Sequence, residues 1–252
     1  MTSVDVHAHY FPEQYLDVLD EVGGSPVRTA GLRGGGGGST PAEIDARIAA
    51  MDAAGTDVQV VSATPLTPYF DDTSQALGAA RVANAAFADL VRAHPTRFRA
   101  LAALPLPNGL AAGDELGHCM DELGFLGAAI TTTVLGRSLG DPEFVPLLDA
   151  LERRGAVLLL HPTGGENVQQ SYDEMDLSAY PGIRPITTGR TPPDRPLSPL
   201  HHHAVTDADA LRRAAVTYGP ERLLRGSGYP YRAEEGFDAH VPEENATVLL
   251  GL

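Results

Sequence analysis

Two histidines stand one residue apart in Val4-Asp5-Val6-His7-Ala8-His9-Tyr10. The apolar, β-branched start of that run reads as a strand. Residues i and i+2 of a strand share a face, so His7 and His9 project together. Imidazole pairs at this spacing suit Zn²⁺ or a similar divalent ion. A third histidine, His161, ends the apolar run 156–160 (AVLLL), and Pro162 stops the strand behind it. Each feature alone has an ordinary alternative, a surface pair for the first and a hydrogen-bonded barrel residue for the second. Found together at the same end of a parallel sheet, His7, His9 and His161 read better as ligands of one metal ion.

Further histidines offer acid/base chemistry. In Leu200-His201-His202-His203-Ala204-Val205, alternation sends His201 and His203 to one face. If that face looks inward, His201 and His203 join His161 as catalytic candidates; half-exposed strand polarity is an equally weighted reading. Arg33, in a glycine-rich loop, is a candidate for binding a substrate carboxylate, and Arg137, in Thr133-Val134-Leu135-Gly136-Arg137, is a candidate either for meeting substrate or for orienting a loop, with equal weight. For Arg33 and its neighbour Arg28, an ordinary solvated loop arginine is the leading alternative. His94 closes a helix before proline, and His118 and His240 read as surface residues. Asp5 is read as facing away from the histidine pair, with a structural role. Cys119 reads as a small buried residue on a helix.

Composition narrows the chemistry. All 18 basic residues of the 252 are arginine, which excludes Schiff-base catalysis on a lysine and a carboxylated lysine bridging metals. A formal net charge of -15 opposes a nucleic-acid partner. No apolar run approaches membrane-spanning length and no leader pattern opens the chain, so a soluble cytoplasmic protein acting on a small molecule is expected.

Positioning these groups requires an alternating α/β chain. Strands are expected near 2–7, 56–62, 97–104, 125–130, 156–161, 182–187, 199–204 and 222–227, and helices near 41–54, 75–94, 110–123, 142–154, 206–218 and 242–250. Thr40-Pro41 and Asp141-Pro142 look like helix starts, Gly55 and Gly155 like helix ends. Eight strands alternating with helices favour one (β/α)₈ TIM-type barrel over 1–252. Two stretches break the rhythm. Residues 23–40, with five glycines at 34–38, resemble a flexible linker, and 162–199 has no convincing helix and is expected to be truncated or irregular.

Several long blocks carry a resemblance: 4–16 (VDVHAHYFPEQYL), 48–65 (IAAMDAAGTDVQVVSATP), 81–107, 136–164 and 218–231 (YGPERLLRGSGYPY). They are similar to the amidohydrolase superfamily, in the branch of aminocarboxymuconate semialdehyde decarboxylase and related decarboxylases and hydrolases. That resemblance implies a (β/α)₈ barrel with a divalent metal held by His7, His9 and His161, and a homodimer in some relatives. It also implies an Asp where Gly228 stands and a His where Thr187 or Thr188 stands. The chain therefore departs from the pattern at two site positions. A metal-dependent decarboxylase of a small carboxylated or cyclic substrate leads. The alternatives are a metal-independent lyase, dehydratase, isomerase or cyclase using histidine acid/base groups, and a non-catalytic binding or partner subunit.

Overall fold

The computed structural model describes residues 2–23, 27–163, 168–189, 193–199, 201–205, 208–231 and 241–252, the side chains of 27, 28, 205, 208 and 210 excepted. His240 and the side chain of Arg28 lie outside the described residues. Eight parallel strands run β1 (Val4–His9), β2 (Val58–Ser62), β3 (Phe98–Ala100), β4 (Gly127–Thr131), β7 (Val157–His161), β8 (Arg184–Thr188), β9 (His202–Val205) and β10 (Leu223–Arg225). Their spatial order is β3-β2-β1-β10-β9-β8-β7-β4. The two ends of this row meet. Leu126 N–H donates to Ala100 O (3.1 Å), Ala102 N–H to Gly127 O (2.8 Å) and Ala129 N–H to Ala102 O (3.1 Å), a parallel pairing that closes the ring. The expected (β/α)₈ barrel is therefore present.

Around it pack α1 (Glu13–Gly23), α2 (Val27–Ala30), α3 (Pro41–Ala53), α4 (Thr73–Ala93), α5 (Gly109–Asp121), α6 (Val145–Arg154), α7 (Val168–Asp173), α8 (Ala208–Tyr218) and α9 (Glu243–Leu250). Local chemistry sets their ends. Thr40 and Glu43 form a reciprocal capping box before Pro41, and Gly155 ends α6 in the left-handed conformation. Inside the barrel, Val4, Val6, Val58, Val60, Val157, Leu159 and Ile186 form one apolar cluster with Ala246, Leu249 and Leu250 of α9. Arg184 opens β8 and donates to Leu249 O, so α9 covers the N-terminal end of the barrel. The C-terminal end is left for chemistry.

One irregularity positions the histidines. In a regular strand Asp5, His7 and His9 would share a face. Here β1 pairs with β2 as Asp5↔Gln59 and then Ala8↔Val61, a register shift. Val6 and His7 both stand opposite Val60, a β-bulge. Asp5 consequently turns toward the helix layer while His7 and His9 turn inward. Asp5 was expected to face away on a regular strand; a regular strand would have put it beside the histidines, and it is the bulge that turns it away.

Three expectations are corrected. The 162–199 stretch does contain a helix, the short α7, besides strand β8. A two-stranded hairpin, β5 (Thr133–Val134) with β6 (Arg137–Ser138), follows β4 and was not expected. The end of the glycine run is packed, not a free linker: Gly37 and Gly38 are buried, Phe11 N–H donates to Gly37 O (2.7 Å), and a Cβ on Gly37 would meet Phe11 and Pro230 at 3.2 Å, while Gly34 and Gly35 are exposed.

Candidate metal centre

His7 and His9 end β1, and His161 ends β7. Their ring centroids are 4.7 Å (His7–His9), 5.3 Å (His7–His161) and 5.4 Å (His9–His161) apart. One nitrogen from each lies within 4.8 Å of the others, a spacing that can hold a metal ion. This is the group of at least three His, Cys, Asp or Glu found with that geometry among the described residues.

The opposite nitrogens are held by the protein. Nδ1–H of His9 donates to Thr64 O, and Nδ1–H of His161 to Pro162 O at 3.3 Å. Nδ1 of His7 meets the Thr188 hydroxyl at 2.7 Å. Donation of Nδ1–H to a carbonyl fixes the tautomer of His9 and of His161 and leaves Nε2 as the electron-pair donor. Burial lowers the pKa of His9 to about 3, helped by the neighbouring His161. Burial likewise lowers His161 to about 4. Both rings are therefore neutral near pH 7, the form a metal ligand needs. These donors fit one divalent cation with an open position.

Glycines let the last strand approach. A Cβ on Gly226 would stand 2.9 Å from His7 Cβ, so only glycine passes there unstrained. Gly228 has φ +67°, and its N–H donates to His7 O at 2.8 Å. Its position faces open space, with no atom within 4 Å of an added Cβ. The site thus has room where the resemblance implies an acidic side chain.

His201 and His203 do not join this centre. Both are fully buried, and their nitrogens are consumed by protein groups. Leu197 N–H donates to His201 Nδ1 (3.1 Å), which places the single ring proton on Nε2, donated to Thr187 Oγ1 (2.8 Å). Thr187 in turn donates to His203 Nδ1 (2.9 Å), and His203 Nε2–H donates to Gly189 O (3.2 Å). Every partner is satisfied in one direction. Burial lowers their pKa values to about 3 and about 4. The pair pins the loop after β8, and the reading of His201 and His203 as catalytic groups is corrected to a structural one.

Arg33 is also placed elsewhere. Its guanidinium meets Glu13, Asp17 and Asp20 at 2.7, 2.8 and 2.9 Å, which leaves it no call on a substrate carboxylate. Arg137 is exposed on the β5–β6 hairpin. The hairpin base is tied to the loop behind His161 by Thr132 Oγ1 to Thr163 O (3.1 Å) and by the Thr133–Thr163 hydroxyl pair (3.2 Å). Cys119 is buried, as expected. His94 caps α4, its N–H donating to Leu90 O, and His118 pairs with Glu122 on the surface.

Sequence reasoning missed the aromatic wall of the site. Tyr231 lies 5.1 Å from the His9 ring and Phe11 stacks on it at 6.0 Å. Tyr231 is 55% exposed, so it lines an open mouth. Its place two residues beyond Tyr229 in the block 225–231 was a usable signal. The carbonyl of Thr64 had none, since a backbone acceptor leaves no mark in residue type.

Comparison with known proteins agrees with this geometry. The Amidohydrolase family profile matches residues 4–194. The chain is 34% identical over 119 residues to a 2-amino-3-carboxymuconate-6-semialdehyde decarboxylase of Dictyostelium discoideum, covering 47% of this chain and 33% of that protein. It is 34% identical over 127 residues to a gamma-resorcylate decarboxylase of Rhizobium, covering 47% and 38%. The matched stretch is thus well under half the length of either relative. The fold is that of a dihydroxybenzoic acid decarboxylase from Polaromonas solved with manganese and 2-nitroresorcinol, at TM-score 0.79, 18% identity and coverage of 100% of this chain and 97% of that one. With a closed barrel, the metal-ready histidine cluster at its C-terminal end and a profile match over most of its length, this chain belongs to the amidohydrolase family.

Proposed function

We propose that this protein is a divalent-metal-dependent decarboxylase of a small, hydroxylated aromatic or muconate-type carboxylic acid. The observation that carries the proposal is the triad His7, His9 and His161, each with Nδ1 engaged by the protein and with one nitrogen from each ring within 4.8 Å of the others. A histidine working alone as acid or base needs a pKa near the working pH. His9 and His161, at about 3 and about 4, lie far below it, which favours ligation over metal-free acid/base work.

When bound, a divalent ion supplies Lewis-acid polarisation of a substrate oxygen beside the carboxylate. Three imidazole donors fit zinc, and manganese, which the Polaromonas enzyme binds, is the alternative. The chain's own groups do the rest. Thr188 and the Thr64 carbonyl hold the His7 and His9 rings. Arg137, on a hairpin anchored behind His161, receives the substrate carboxylate in bidentate fashion. Tyr231, exposed beside the His9 ring that Phe11 backs from the core, forms the wall against which a flat ring lies. Loss of CO₂ leaves an electron pair on carbon, and a proton must replace the carboxyl group. Burial holds the Tyr231 phenol above its ordinary pKa, so its Oη keeps a proton to give, and solvent at the mouth restores it.

The test is CO₂ release from 2,6-dihydroxybenzoate and related carboxylic acids by protein reloaded with zinc or manganese. Turnover that a chelator abolishes and the metal restores is expected. Equal turnover by chelator-treated protein, or none from any such acid by metal-loaded protein, contradicts the proposal.

A further inference from the structure

We propose that Arg47 is the positioning residue of the metal centre, acting with Asp5 through Gln59 to set the spacing of His7 and His9. The inference rests on the reading of those histidines as metal ligands. Arg47 lies on α3 with 0% exposure, the largest fully buried side chain of the described residues. A buried arginine is costly unless its charge and donors are met, and an apolar residue would fill the same space without that cost. Its two Nη groups go to two places, while Nε is buried without a hydrogen-bond partner among the described residues. Nη2–H donates to the carbonyl of His9 itself (2.6 Å), and Nη1–H to Gln59 Oε1 (2.7 Å).

The chain of bonds continues to the second ligand. Gln59 Nε2–H donates to Asp5 Oδ2 (2.9 Å). Asp5 Oδ1 accepts from the N–H of His7 (3.1 Å) and of Ser227 (2.9 Å), and Oδ2 from the Ser227 hydroxyl (2.6 Å). Ser227 Oγ then accepts from Tyr229 N–H (3.0 Å), and the Arg47 guanidinium lies over the Tyr229 ring at 4.4 Å. A cation and an anion, both buried and bridged by one amide, therefore grip the backbone of both ligand residues. They also grip the 227–229 turn, whose Gly228 is bonded to His7 O.

The bulge explains why such a grip is needed. An extra residue in β1 leaves Val6 and His7 without a regular ladder partner, so the strand alone does not fix the direction of the His7 side chain. Asp5, turned outward by that same bulge, supplies the missing acceptor for His7 N–H. Arg47 fixes the other ligand through its carbonyl. Charge-assisted bonds at both ends make the pair stiff. Groups that orient metal ligands from behind typically change affinity by about 10–100-fold when removed.

The test uses Co²⁺ as probe on the whole protein, comparing wild type with Arg47→Lys, Asp5→Asn and the control Glu115→Gln, whose carboxylate serves Asn84 and Arg81 away from the site. We expect Arg47→Lys and Asp5→Asn to bind Co²⁺ about 10–100-fold more weakly with altered visible bands, while the control lowers the metal-free melting temperature with affinity and bands unchanged. If either charge variant fails to fold, Gln59→Met, which cuts the relay between its two ends, takes its place with the same expectation. Wild-type affinity and spectrum in the folded variants overturn the positioning role, whatever happens to their melting temperatures. No Co²⁺ uptake by wild type overturns the metal reading itself, and the proposal with it.

Discussion

The hydroxyl of Thr188, at the end of β8, lies 2.7 Å from Nδ1 of His7, at the end of β1 and 181 residues away in the chain. Threonine occupies a position where the family resemblance implies a histidine, and here its hydroxyl is placed to orient the ring that we propose as a metal ligand. Thr188→Val should lower metal affinity about 10–100-fold with little change in folding, and Thr188→Ser should restore it. Titration of the metal-free protein with Zn²⁺ against a chromophoric chelator reads the difference. Equal affinity of all three proteins would show that Thr188 does not act on His7.

Gly226 gives a steric counterpart. A methyl group there would stand 2.9 Å from His7 Cβ and 3.2 Å from Ala204 Cβ. Gly226→Ala should push His7 off the shared point and lower metal affinity by at least about tenfold, in line with losses at ligand-orienting positions. Gly228→Ala has open space but a positive φ, so it should cost about 1 kcal/mol of stability and little affinity. Gly228→Asp should bind the ion more tightly than wild type, since a carboxylate would then face the cation from the position the family pattern implies. The same chelator competition measures all three, and an unaffected Gly226→Ala variant is the adverse result.

The buried histidine pair predicts acid lability. His201 and His203 have folded pKa values of about 3 and about 4, below the ordinary 6.5. Between those values the unfolded chain binds more protons than the folded one. Their contribution is therefore complete above pH 6.5 and is lost as pH falls from there toward 4, by about 1.4 kcal/mol per pH unit for each histidine. Urea midpoints of the metal-free protein at pH 7 and pH 5 check the sign. Thr187→Val, which strands His201 Nε2–H and removes the donor to His203, should cost about 2–3 kcal/mol at pH 7. A midpoint that rises on acidification would contradict the assignment.

Substrate binding separates the two arginines. Arg137→Gln should raise KM by about tenfold or more, the value of a charged hydrogen bond to a carboxylate. Arg33→Gln should leave kcat and KM within about twofold and cost only surface-pair stability, because its partners are the carboxylates of α1. Steady-state kinetics on the carboxylic acid that supports the highest turnover decides between them. Tyr231→Phe should lower kcat with KM largely kept, since the ring stays and the proton goes.

Much of the barrel was legible because each strand is an apolar run bounded by turn chemistry, and Thr40, Pro41 and Gly155 mark helix ends by known stereochemistry. The three ligand candidates were legible for the same reason: each histidine ends such a run. The bulge in β1 was not, since residue types do not show which position of a strand is doubled. Nor was the fate of His201 and His203. An alternating pair on a strand looks the same whether its nitrogens face a substrate or a threonine, and only the fold reveals Thr187 between them. Arg47 was invisible for a related reason, because nothing in a helical arginine tells that it points inward to the carbonyl of His9.

Metal content is the measurement closest to the central claim. Purified protein, exposed to zinc or manganese and then desalted, should carry about one ion per chain, and His7→Ala/His9→Ala should carry none while keeping its circular dichroism. A wild-type protein without stoichiometric metal, or a double variant that retains it, would contradict a centre built from His7, His9 and His161.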